Sequence, residues 1–109
     1  EIIEILEYVG LRHHFDIIVS ADDVEYCKPD PEVYSKVLGH LNNSGSAQIS
    51  AHECLVIEDS VSGIEAAHSA GMKCLAITNS YSTEDLSKAE LILDSLKSVT
   101  IAQIEDMFL

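Results

Sequence analysis

Apolar residues along this chain fall into two kinds of cluster. In residues 1–9, Ile2, Leu6 and Val9 recur at i, i+4 and i+7 with Ile5 beside them, which predicts an amphipathic helix ended by Gly10. Phe15-Asp16-Ile17-Ile18-Val19 reads as a strand and 20–28 as a loop. Asp30-Pro31-Glu32 then opens a helix, with Asp as N-cap, Pro at the first helical position and Glu at the positive end of the dipole. Val33, Val37 and Leu41 form its apolar stripe, and 42–47 is a polar loop. Ser50 and Glu53 have capping-box spacing on a single turn.

The second half repeats the alternation. Residues 54–58 predict a strand, 61–70 a helix with Gly71 just past its end, and 73–78 another strand. Thr83-Glu84-Asp85-Leu86 starts a short helix, and Leu91-Ile92-Leu93 is a brief strand. Thr100 with Gln103 caps a last helix expected to bury Ile101, Ile104 and Phe108. Short apolar strands alternating with helices predict an α/β fold, a Rossmann-like parallel sheet with helices on both faces and right-handed crossovers. The chain of 109 residues, 47% hydrophobic, suffices for one modest core and shows neither repeat nor linker.

Charge narrows the partners. A net charge of −13, from 19 acids against 6 Lys and Arg, disfavours nucleic acid. A phosphorylated ligand would therefore need a locally positive site or a metal. No apolar run is long enough to span a membrane, and the acidic start Glu1-Ile2-Ile3-Glu4 does not resemble a signal peptide. The three cysteines, Cys27, Cys54 and Cys74, lack metal-ligand spacing and read as inert thiols of a reducing compartment, so a cytoplasmic location is expected.

Chemistry concentrates where the strand 54–58 runs into Glu58-Asp59-Ser60 and a helix begins. Carboxylates at the carboxyl end of a strand, beside free helix N–H groups, suit Mg²⁺ held with phosphate and water. Equally, Asp59 or Ser60 can serve only to cap the helix. Lys28 sits in a loop after the strand 15–19, held extended by Pro29, on the same edge of the sheet. It is either a solvated lysine or a phosphate-neutralising one. Gly63, costly in a first helical turn, points to close packing. The five histidines suggest no catalytic grouping, and 22–25 reads as a solvated acidic loop.

Lys28-Pro29-Asp30-Pro31, followed by Val56-Ile57-Glu58-Asp59-Ser60, Gly63-Ile64 and the run from Ala66 to Met72, resembles the haloacid dehalogenase-like hydrolase superfamily. The likeness is to the branch of β-phosphoglucomutase and sugar-phosphate phosphatases, and it spans nearly the whole chain. It implies that Lys28 steadies the phosphate and the charge of the nucleophile, with a catalytic and phosphate-binding role. It implies that Asp59 and Glu58 help hold Mg²⁺, Asp59 directly and Glu58 directly or through water, with Ser60 holding the turn. The substrate implied is a small phosphorylated metabolite, with no nucleic acid or membrane partner and no indication of oligomeric state.

The sequence departs from that pattern in one large respect. The nucleophilic Asp-x-Asp motif is absent, as is the second-motif Ser or Thr expected before the first helix. By resemblance, the sheet order is five-four-one-two-three, with 15–19 as the third strand, 54–58 the fourth and 73–77 the fifth. Residues 1–109 are thus expected to be the C-terminal part of a core domain, without its first two strands or its cap. Without the nucleophile such a piece alone is expected to be inactive, and its two exposed strand edges lead to the expectation that it is unstable or re-paired. Two other readings remain: a non-catalytic, partner-binding remnant and a receiver-type signalling domain. The receiver order differs, because there the lysine follows the acids.

Overall fold

A computed structural model describes residues 2–45 and 47–109. Glu1, the first residue of the predicted opening helix, and Ser46, within the predicted 42–47 loop, lie outside the described residues. Among the described residues, four α-helices and three strands form in the order α1 (Ile2–Tyr8), α2 (Glu32–Ser44), β1 (Leu55–Glu58), α3 (Val61–Ser69), β2 (Lys73–Ile77), β3 (Leu91–Leu93) and α4 (Ile101–Asp106). The strands make one parallel sheet in the order β1-β2-β3, with Val56 beside Cys74 and Ala76 beside Ile92.

The centre of the core is β2. Cys74 and Ala76 pack with Val56, Ile64, Ala67, Met72 and Leu86 on one side. Leu75 points the other way on the pleat and is equally buried, so both faces of β2 are covered. Small residues Ala66 and Ala67 let α3 lie close against the sheet. Tyr34 and Leu38 bring α2 onto the same cluster, so its inward face is wider than the stripe of Val33, Val37 and Leu41.

The two capping boxes and the glycine helix ends form as expected, whereas the Asp30 cap of α2 does not. The Ser50/Glu53 and Thr100/Gln103 boxes are both present. Gly10 and Gly71 take φ values of 76° and 81°, the left-handed conformation that ends a helix without a side-chain penalty. Asp30 accepts the Glu32 N–H at 2.9 Å, one step ahead of the helix, while Pro31 occupies the N-cap position. α2 continues to Ser44, past the expected loop boundary, because the Asn42 amide pairs with both backbone groups of Ile49, at 3.0 and 2.7 Å.

Three expectations fail where a distant partner was required. Residues 15–19 pair with no strand among the described residues, so the predicted strand does not form. Ile17, Ile18 and Val19 are only half-buried. Residues 83–88 are turns rather than a helix, closed by bonds such as Leu86 N–H to Ser82 O at 3.1 Å, and they bury Leu86. On α4, Ile104 is half-buried but Ile101 and Phe108 stay exposed. α1 likewise buries none of its apolar side chains. No helix among the described residues is long and apolar enough to cross a membrane.

Candidate active site

Four consecutive residues at the end of β1 set up the site. Along the pleat, Val56 and Glu58 turn inward while Ile57 turns out and is 51% exposed. Glu58 is thereby the buried charged residue of the core, at 8% exposure. Ser60 then caps α3, its Oγ accepting the Gly63 N–H at 3.0 Å. This resolves the capping question: Ser60 is the cap, and the Asp59 side chain is left for other contacts.

A buried carboxylate needs a full set of donors. Glu58 Oε2 accepts hydrogen bonds from Lys28 Nζ and the Tyr34 hydroxyl. Oε1 accepts from the Asp59 N–H and the Ser60 Oγ, each at 3.3 Å. Burial works to raise the Glu58 pKa. The bonds from Lys28 and Tyr34, the lysine charge and the Asp59 N–H outweigh it and hold the carboxyl below its ordinary range.

Gly63 makes room for this arrangement. A Cβ at that position would lie 2.0 Å from Glu58 Cδ and Oε1. The tight packing expected of this glycine is real, and its counterpart is the side-chain carboxylate at the end of β1.

Asp59 is half-buried at the sheet edge. Its Oδ2 accepts from Ser80 Oγ at 3.0 Å, and Oδ1 has no protein partner among the described residues. Lys28, Glu58 and Asp59 line one open cavity of about 600 Å³, whose far wall carries Asn79, Asp94 and Ser95. Asp94 is held by Thr78 Oγ1 at 3.0 Å. The three residues singled out in the sequence therefore stand together at the carboxyl ends of the parallel strands, where open α/β sheets place ligands.

The donor set fits a hard cation in part. Among the described residues no group of three or more His, Cys, Asp or Glu side chains is arranged to hold a metal. Mg²⁺, however, commonly takes one or two carboxylates and fills its octahedron with water and phosphate oxygens. Asp59 offers one free carboxylate oxygen for that purpose, whereas both Glu58 oxygens are taken up by protein donors.

Sequence reasoning missed Tyr34 and Ser80. Tyr34 follows the Lys28-Pro29-Asp30-Pro31 run by one turn of α2, and a hydroxyl on an apolar face was the available signal. Ser80 carried none, since serine after a strand is ordinary in loops. The cysteines stay outside the chemistry. Cys74 is buried, and burial with Glu58 nearby pushes its thiol up to about 12. Burial also raises the Cys54 thiol above its ordinary value.

Residues 1–77 match the sequence model of the haloacid dehalogenase-like hydrolase family. The chain is 42% identical over 73 residues to a phosphorylated carbohydrates phosphatase of Thermotoga maritima, covering 67% of this chain and 31% of that protein. It is 35% identical over 94 residues to validoxylamine A 7′-phosphate phosphatase of Streptomyces hygroscopicus subsp. limoneus, covering 86% of this chain and 41% of that one. Among solved structures, a β-phosphoglucomutase of Clostridium difficile superposes with a TM-score of 0.81 at 29% identity, over 97% of this chain and 44% of that one. The chain thus spans about a third to somewhat under half the length of these relatives.

Proposed function

The chain belongs to the haloacid dehalogenase-like hydrolase family, and from that premise we propose that the protein carrying it is a Mg²⁺-dependent phosphatase or phosphomutase. It would act on a small phosphorylated metabolite through an aspartyl-phosphate. Residues 1–109 would form the C-terminal part of its catalytic core, with the cap elsewhere in the longer protein. Three cysteines, none bonded to another, suit the cytoplasm.

One observation carries this reading. Lys28 and Glu58, 30 positions apart, meet beside Asp59 on the carboxyl edge of a parallel sheet, facing an open cavity. Lys28 is the cation of a cavity lining that also carries Glu58, Asp59 and Asp94, so a phosphate there would need a bound metal ion together with the lysine. Lys28 neutralises charge that builds on the phosphoryl oxygens, and Glu58 keeps its ammonium on that edge. Asp59, whose Oδ2 is held by Ser80, would hold the cation through its free oxygen. Mg²⁺ bound there would supply positive charge for the transferred phosphoryl group. The sequence holds no Asp-x-Asp, so the nucleophile belongs to another part of the longer protein.

Hydrolysis of p-nitrophenyl phosphate by the full-length protein tests the assignment. Lys28→Ala and Asp59→Asn should each lower kcat by about a hundredfold or more. Asp59→Asn should in addition weaken Mg²⁺ binding measured by calorimetry. The 109-residue chain alone should give no turnover. Full activity in both variants would refute the roles, and turnover by the isolated chain would refute the division of labour.

A further inference from the structure

Tyr34 sits where two independent contacts converge on one functional group. Its hydroxyl donates to Glu58 Oε2, the same oxygen that Lys28 Nζ binds. Its ring lies under that ammonium, with Nζ 5.3 Å from the ring centroid. We infer that Tyr34 is a positioning residue that fixes the Lys28 ammonium at the phosphate-facing edge, through the shared Glu58 oxygen and through its ring. The inference rests on the reading of Lys28 as the cation that meets phosphate.

The physical need is clear from Lys28 itself. Lysine carries its charge on four rotatable carbons, and this side chain is 38% exposed. An ammonium so placed would sample many positions if Glu58 were its sole anchor. A ring below and a carboxylate beside it leave one arrangement. The carboxylate is itself kept from rotating, because the Tyr34 hydroxyl, the Asp59 N–H and Ser60 Oγ occupy its remaining acceptor sites.

The elements that carry the two residues are also tied together. The Glu32 carboxylate, two residues before Tyr34, accepts the Glu25 N–H at 3.0 Å and the Tyr26 N–H at 2.8 Å. These bonds join the loop leading to Lys28 to the first turn of the helix bearing Tyr34. Tyr34 also packs against the core cluster, which fixes its ring. Burial and the neighbouring Glu58 push its phenol well above the ordinary value, so the hydroxyl remains a donor.

A double-mutant cycle on the full-length protein with Mg²⁺ tests this, read by calorimetry with inorganic phosphate. Tyr34→Phe keeps the ring and should weaken phosphate about three- to tenfold, the size of one lost hydrogen bond. Tyr34→Leu loses ring and hydroxyl and should weaken it further. In a Lys28→Ala background neither change should have an effect, an outcome that a purely structural tyrosine would not produce. Equal losses in both backgrounds, or none in either, overturn the inference while leaving the role of Lys28 intact. If Lys28→Ala itself leaves phosphate affinity unchanged, the underlying reading falls and takes the inference with it. An NMR measurement on the unmutated protein guards against misfolded variants. The Lys28 side chain should show an upfield ring-current shift and slowed ammonium exchange, and values of a free lysine overturn the positioning role.

Discussion

Replacing Gly63 by alanine places a methyl group where Glu58 already lies, and two opposing effects decide the result. Alanine is favoured over glycine in a helix by up to about 1 kcal/mol. Against this, the new Cβ would sit 2.0 Å from Glu58 Cδ and Oε1, and 2.5 Å from Oε2. A free side chain could swing away, but this carboxylate is held by Lys28, Tyr34, the Asp59 N–H and Ser60. Either the start of α3 moves, an overpacking cost of about 1–3 kcal/mol, or the carboxylate leaves its donors. Each lost bond to a buried charge costs about 1.5–3 kcal/mol. Gly63→Ala should therefore destabilise by about 0–2 kcal/mol net once the helix gain is subtracted, and by more where several of the carboxylate's bonds are lost. It should also loosen Lys28 and reduce phosphate affinity.

Gly39 supplies the control. It lies within α2, and a Cβ there would meet nothing within 4 Å. Gly39→Ala should stabilise by about 0.4–1 kcal/mol through propensity and unfolded-chain entropy. Urea midpoints and m-values of the two variants in the full-length protein read out both effects. If Gly63→Ala matches Gly39→Ala in stability and leaves phosphate binding intact, the packing of Glu58 against α3 is not as described.

Other consequences are accessible to simple experiments. Ser60→Ala removes the cap on Gly63 N–H and one Glu58 contact, and should cost about 0.5–2 kcal/mol in a thermal or urea melt. Glu90 accepts bonds from His68, at 3.0 Å, and from the Cys74 N–H, at 2.8 Å. Despite the upward pull of partial burial, these bonds hold its pKa below the ordinary 4.5. A carboxyl depressed on folding contributes stability above its unfolded pKa, and that contribution is lost as pH falls through the folded value. Glu90→Gln should thus lower the urea midpoint at neutral pH and converge with the unmutated protein in acid. A pH-independent difference would show that the charge is not involved. Limited proteolysis of the isolated chain should cut first within residues 2–27, since α1 buries nothing and 15–19 lack a paired strand. A compact, resistant, cooperatively melting chain would contradict this.

Which features were legible depended on how far apart the interacting groups are. The Ser60 cap, the Ser50/Glu53 and Thr100/Gln103 boxes and the glycine ends of α1 and α3 each involve groups only a few positions apart. Such bonds form whatever the rest of the chain does, so residue type and spacing suffice. Strands β1 and β2 were legible as short, dense apolar runs, although burial on both faces is reached in β2 alone of the two, Ile57 of β1 being exposed. The predicted strand at 15–19 was a statement about a segment whose state depends on a neighbour, and no described strand lies beside it. Residues 83–86 have a helix-start pattern, yet one buried leucine was all the core accepted from them.

By itself, then, the sequence determined the α/β class, the alternation of elements and the local caps. Spacing left Lys28, Glu58 and Asp59 with plain alternatives, a solvated lysine and a helix cap, and the resemblance of their two motifs to the hydrolase superfamily singled them out. Only the tertiary structure decided that Glu58 turns inward and is surrounded by donors, that Ser60 rather than Asp59 caps α3, and that Tyr34 and Ser80 join the site. The Tyr34–Glu58 contact spans 24 positions and the Ser80–Asp59 contact 21. Pairings at that distance are fixed by how helices pack on a sheet, a property of the assembled fold rather than of any segment.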